Sequence, residues 1–460
     1  MAALVGLALA GAAALDWLGV PARVAPPAVS PPQAEAAFVS EGSYCPLPGD
    51  EEVTSVLATA NPSGGPTHLR RWGIGSSQAS PAHESALGPG RRTAASLSDL
   101  GARGGAGVVE SFGAPSVADA LVTSPDRGVA SSPCTDQPWT RWLFATASTR
   151  RGYQVFLLAL NPFEEEAVLR VRLLLPDADL VPARLKDLVI PPTSQATVFL
   201  ADYYPETDSF GLEVTATRGR VVVSRYARIS TREGLRGLDL DLGAREEATR
   251  WYFAGGQVPA EGNEEIVLIN SGGWEALIQF VLQTDEEQLT PPALQEIPLP
   301  AGRQVRVNVG EYLDRGVRHG VLVLSANGVP FVAERRVVAE MGGSRSLDSS
   351  FGAPSTGRRW AVAAGSHLGG GTLLAIVNEG RTRTSASVAL LTDSGERRPG
   401  ELASVALPPG LARTIDLAPF LAGGAATAVV EAAGEVVVEG LLTLGEPFRD
   451  FDFSPGQLLR

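Results

Sequence analysis

Between Arg250 and Val338 apolar and polar residues alternate with a period of two, in runs too short for helices. After the opening "RWYFAGG" come "EEIVLIN", "EALIQFVLQTD", "LQEIPL", "RQVRVNV", "GVLVLSA" and "VPFVAERRVV". Such alternation belongs to strands with one buried face, and the "SGG", "PAG" and "NG" breaks between runs are turn signals. The only helical feature is one turn at "VGEYLDRG". About seven strands in roughly ninety residues is the size of an immunoglobulin-like or fibronectin-type β-sandwich.

The pattern recurs. The preceding stretch supplies "YQVFLLAL", "AVLRVRLLL", "ATVFL", "FGLEVTA" and "RVVVSRYARI", and the following one "TLLAIVN", "SASVALLT", "RTIDL", "ATAVVEA" and "EVVVEGLLTL". Trp142, Trp251 and Trp360 are 109 residues apart, and Asn161, Asn270 and Asn378 are 109 and 108 apart. Tyr203, Tyr312 and Phe420 keep the same phase, as do Asp239 and Asp348. A degenerate copy, "SYCPLPGDEEVTSVLATANPSG", precedes these, with Asn61 standing 100 residues before Asn161. The chain is therefore expected to be all-β, with about four tandem sandwich modules at 42–136, 137–246, 247–356 and 357–460.

Composition places these modules. At 460 residues the chain exceeds a single core, and its net charge of −13 lacks the clustered cations that phosphate backbones require, which argues against nucleic acid. Lys186 is the only lysine. Residues Ala2 to Leu15 form an uncharged apolar run, so 1–20 reads as a signal anchor or signal peptide, without the usual basic n-region. A Pro/Ala-rich spacer follows at 21–41. Export makes Cys45 and Cys134 a disulfide, with two buried free thiols as the alternative.

The repeat markers invite chemistry, but each has a structural explanation. The Asn residues close apolar strands, where a side-chain amide fixes the following turn; metal or ligand binding is the other reading. The Trp rings fill a core or form sugar-binding platforms. Arg141, Arg250 and Arg359, each before its Trp, read as surface charge. The pairs Asp239/Asp241 and Asp450/Asp452 suit either a calcium site between modules or outward carboxylates of an alternating strand. Glu164–Glu166, Glu264/Glu265 and Glu286/Glu287 read as solvated turns. His68, His83, His319 and His367 have no metal-ligand spacing, and no nucleophile elbow or phosphate loop occurs. No catalytic, cofactor-binding or metal residue is assigned. The loops "TASTRRG", "GQVPAEGNE" and "GSHLGGG" between the first two strands of successive modules are where the copies differ most.

The signature "RWYFAGG", then "IVLINSG" or "FLLALNP", then "PFVAERRVV" or "VVVSRYARI", resembles a repeat of exported actinobacterial proteins grouped as domain of unknown function 5719. That resemblance implies an N-terminal membrane segment and a large extracytoplasmic part, and carries over no functional residues. The last copy departs from it, with "EVVVEGLL" in place of the Glu334/Arg335 pair. The expected protein is a non-enzymatic, membrane-anchored or secreted stalk or scaffold engaging an envelope protein or glycan. The alternative is an accessory or carbohydrate-active enzyme working on cell-wall polysaccharide.

Overall fold

The computed structural model describes residues 40–102, 104–341, 343–365, 371–421, 424–443 and 450–459. The N-terminal apolar run, the spacer up to residue 39, His367 and the variable part of the loop at 366–370 lie outside them. No helix among the described residues is long and apolar enough to cross a membrane.

Each repeat folds the same way. In the second, Arg141–Ala147, Phe210–Arg218 and Ala167–Leu174 form one antiparallel sheet, edged by the short strands Asp179–Leu180 and Leu188–Ile190. Ser194–Phe199, Tyr153–Asn161, Val222–Ser230 and Leu235–Leu242 form the other. The core between them takes alternate residues of both sheets, such as Leu169, Val171 and Leu173 against Val155, Leu157 and Ala159. The third repeat reproduces the order with Arg250–Gln257, Arg318–Ser325 and Ala276–Gln283 opposite Arg303–Asn308, Gly262–Asn270, Val332–Met341 and Ser344–Phe351. The first and fourth follow suit. In the fourth, one 18-residue strand, Ala426–Thr443, serves both sheets in succession. The helical turn expected at "VGEYLDRG" is a 3-10 turn, Val309–Glu311.

The repeats are not beads on a string. Residues 39–460 make one compact unit, because successive modules dock through a contact that recurs. The amide of Gln195 bonds the carbonyl of Gly75 in the module before, Gln304 that of Leu175, and Ala412 that of Thr284. At the equivalent place Thr392 of the fourth module pairs in parallel with Arg91 of the first. The same docking repeated four times closes a ring. Its centre is formed by the last strand of each module, Gly128–Pro133, Leu235–Leu242, Ser344–Phe351 and Phe451–Pro455, which adjoin one another in cyclic order. The second and third pair directly and in parallel, Leu235 with Arg345 and Arg236 with Ser346.

Candidate functional site at the ring axis

On the central strands apolar residues alternate with Asp and Ser, and the polar ones face the axis and the neighbouring module. Asp239 accepts the amide of Ser349 at 3.2 Å, Asp348 that of Phe453 at 3.0 Å, and Asp452 that of Ser131 at 2.9 Å. Asp450 accepts the amide of Val129 at 2.9 Å. Between the first and second modules a hydroxyl takes over, Ser132 Oγ accepting the Leu242 amide at 2.8 Å. Each module thus offers a side-chain oxygen to a main-chain N–H of the next. A strand packed beside a non-partner strand would otherwise leave that amide buried and unbonded, at a cost of about 1–3 kcal/mol.

A second layer joins the modules one strand further out. Arg225, on Val222–Ser230, reaches Glu334 of the third module and pairs with Asp239 and Asp241 of its own. Glu334 in turn accepts the amides of Ala145 and Thr146 at 2.8 and 3.0 Å. The arrangement recurs one module on, where Arg335 pairs with Glu439 and Glu439 accepts the amide of Gly255 at 2.8 Å. By sheet register, Asp119, Ser224, Glu334 and Glu439 occupy one position, and Ala120, Arg225, Arg335 and Gly440 the next. The missing arginine of the last copy follows from its place in the ring, since its neighbour is the first module. There Asp119 is held instead by Gln457 Nε2 at 2.6 Å, from the C-terminal segment.

Two sequence expectations are corrected here. Asp239, Asp241, Asp450 and Asp452 are not outward carboxylates but are at most 4% exposed, because ring closure covers the face that an isolated sandwich would show to water. Their oxygens are directed at amides, hydroxyls and Arg225, and no group of three or more His, Cys, Asp or Glu among the described residues is arranged to hold a metal. Glu264 is likewise no solvated turn residue. It is fully buried on Gly262–Asn270, 3.3 Å from His319 Nε2, where the second module has Val155 and Phe210. Burial alone would raise its pKa, but His319 and Arg335 outweigh it and hold it below the usual range.

Burial dominates at Asp241, Asp348, Asp450 and Asp452. It pushes Asp450 up to about 7, and Asp452 up to about 8 with Asp450 and Asp239 adding repulsion. Desolvation followed by neighbouring carboxylates raises Asp241 and Asp348 well above their ordinary value. For Arg225 burial opposes the charge, yet Glu334, Asp239 and Asp241 prevail and keep it protonated. A cavity of about 40 Å³ opens beside this cluster, lined by Arg225, Asp239 and Ser349 at its base and Asp208, Arg306 and Arg336 nearer its mouth. It admits waters but falls well below the ~300–1,000 Å³ of small-molecule sites.

The Trp and Asn markers serve the modules themselves. Trp142, Trp251 and Trp360 are at most 2% exposed, and their indole N–H groups bond the carbonyls of Val221, Phe331 and Val436 at 2.9, 2.8 and 3.1 Å. Asn61, Asn161, Asn270 and Asn378 each accept the amide two residues on. Each also donates to the carbonyl four residues on and to one that ends a neighbouring short strand. Arg141 and Arg359 bond Glu213 and Glu431 at 2.7 and 3.0 Å across the strand. Cys45 and Cys134 form a disulfide. They stand where the second module stacks Phe144 on Gly243 and the third Phe253 on Gly352, so a covalent link replaces an aromatic ring laid over glycine. Sequence reading passed over Trp274, which is 80% exposed in the turn after Asn270; the signal was an aromatic where the other copies have Gly65, Glu165 and Thr382.

No curated protein matches the chain. A crystal structure of Thermotoga maritima 1070 is 17% identical and aligns with 24% of this chain and 97% of its own, at a TM-score of 0.22. The Streptomyces avermitilis α-L-rhamnosidase complexed with L-rhamnose is 8% identical over 81% of this chain and 53% of its own, at a TM-score of 0.13. Likenesses this slight support no argument. Family membership rests on firmer ground: residues 109–386, more than half of the sequence and running from the first module into the fourth, place the chain in DUF5719, a family of unknown function.

Proposed function

We propose that the protein is a non-enzymatic structural or binding protein of the cell envelope, its modules facing outside the cytoplasm and engaging an envelope protein or glycan. One observation carries the reading: the chemically able side chains, Arg225, Glu334, Arg335, Glu439 and the axial aspartates, are turned inward and bonded between modules. They hold a platform together. The disulfide favours an oxidising compartment, and the apolar N-terminus would anchor the ring or be cleaved. Contact with a partner then belongs to the outer surface, where Trp274 and, in the described loops between first and second strands, residues 150–151 and 260–262 are exposed.

The test is a glycan array and an envelope pull-down run with the wild type and Trp274→Ala, beside a hydrolysis assay on cell-wall polysaccharide. Saturable binding without turnover supports the proposal. Release of sugar products that survives purification to homogeneity would replace it with the carbohydrate-active alternative.

A further inference from the structure

We propose that the ring axis is a proton-binding site: its central strands hold more carboxyl groups than cations, and the ring closes around the protons they retain, so it is tightest in mild acid and loosens as the medium becomes alkaline. Asp239 and Asp241 come from Leu235–Leu242, Asp348 from Ser344–Phe351, Asp450 and Asp452 from the last central strand and the residue before it, Glu334 from Val332–Met341 and Glu439 from Ala426–Thr443. Against these seven buried carboxyls stand, among the described residues, two buried guanidiniums, Arg225 on Val222–Ser230 and Arg335 on Val332–Met341, with the buried Glu264–His319 pair beside Arg335 and Glu439. The strand Gly128–Pro133 contributes no ionisable side chain, only the hydroxyls of Ser131 and Ser132 beside its main-chain amides. Arg92 lies apart, with Asp119 and Asp393 where the fourth module meets the first.

Four of the carboxyls share these two guanidiniums, while Asp348, Asp450 and Asp452 have none, and ionised side by side in a dehydrated interface the carboxyls repel one another. Asp348 shows the imbalance directly. Its Oδ2 accepts the Phe453 amide, while its Oδ1 is buried with no hydrogen-bond partner, as a site awaiting a proton and a neighbouring acceptor would be. The cavity reaching Asp239 and Ser349 supplies the water through which protons enter and leave. The raised positions of Asp348, Asp241, Asp450 and Asp452 agree with this geometry.

The sign follows from proton counting. An unfolded aspartate ionises near ~3.9, whereas the folded axis keeps its protons to about 7 at Asp450 and about 8 at Asp452, so unfolding in between releases protons. The stabilisation is fully present below the unfolded value and is lost as pH rises through the folded ones. Each proton released raises the unfolding constant roughly tenfold per pH unit over that window.

Denaturant unfolding of the full-length protein from pH 5.5 to 8.5 should show the midpoint falling, with a slope reduced in Asp348→Asn and in Asp452→Asn. Infrared spectra at pH 6 should contain a protonated-carboxyl band that bleaches by pH 9. A midpoint that is flat or rises with pH, or slopes in both variants equal to wild type, overturns the proposal. Should neither variant fold, the wild-type band decides: its absence at pH 6 overturns the proposal and its presence with bleaching sustains it.

Discussion

Trp251 and Trp274 lie 23 positions apart and carry the same side chain, yet their surroundings give them opposite roles. Trp251 is 2% exposed and its indole is a second donor to the Phe331 carbonyl, beside the Ala248 amide, so Trp251→Ala opens a cavity and removes one of that oxygen's two hydrogen bonds. It should lower unfolding free energy by about 3–5 kcal/mol in denaturant titration. Trp274→Ala, at an exposed turn, should change it by less than about 0.5 kcal/mol in the same titration. Asn270 works through geometry: one amide accepts from Gly272 and donates to Trp274 and Leu299, tying three backbone groups to one short side chain. Asn270→Ala should therefore cost about 1–3 kcal/mol, more than its volume suggests, because buried backbone groups lose their partners.

Among the strands, the informative pairs are those linking one module to the next. Arg335, from Val332–Met341, pairs with Glu439, from Ala426–Thr443, and both are nearly inaccessible. Removing one leaves a buried charge, so Arg335→Ala should destabilise by about 3–5 kcal/mol. Arg335→Met combined with Glu439→Gln should cost much less than the sum of the two single changes, since the glutamine can still accept the Gly255 amide. A double-mutant cycle measures the difference, and strict additivity would mean that the interface is held elsewhere. Within modules the same positions accept different devices: Phe144 over Gly243 in one, the Cys45–Cys134 bridge in another.

At the scale of the whole molecule, that bridge lies in the first module, which meets the fourth to close the ring. It spans 89 residues, for which the chain-entropy account gives about 4.5 kcal/mol. Unfolding with and without reductant should differ by an amount of that order. The first module should loosen first, seen as earlier hydrogen exchange in Gly128–Pro133 than in Leu235–Leu242. The C-terminal segment reinforces the same seam, through Asp452 to Ser131 and Gln457 to Asp119.

The alternation around "EEIVLIN" and the 109-residue spacing of Trp142, Trp251 and Trp360 made the strands, the sandwich and its repetition legible in the chain itself, because strand periodicity and turn chemistry are local properties. The pairing of Cys45 with Cys134 was legible too, as the only pair available. Ring closure was not. Whether Asp239 points to water or into an interface depends on what covers its sheet, and that cover is a strand more than a hundred residues away. Glu264 and Asp348 were misjudged or passed over for the same reason: sequence reports which face of a strand a residue takes, while only the tertiary structure decides what lies against that face, and with it the dielectric, the partner and the proton.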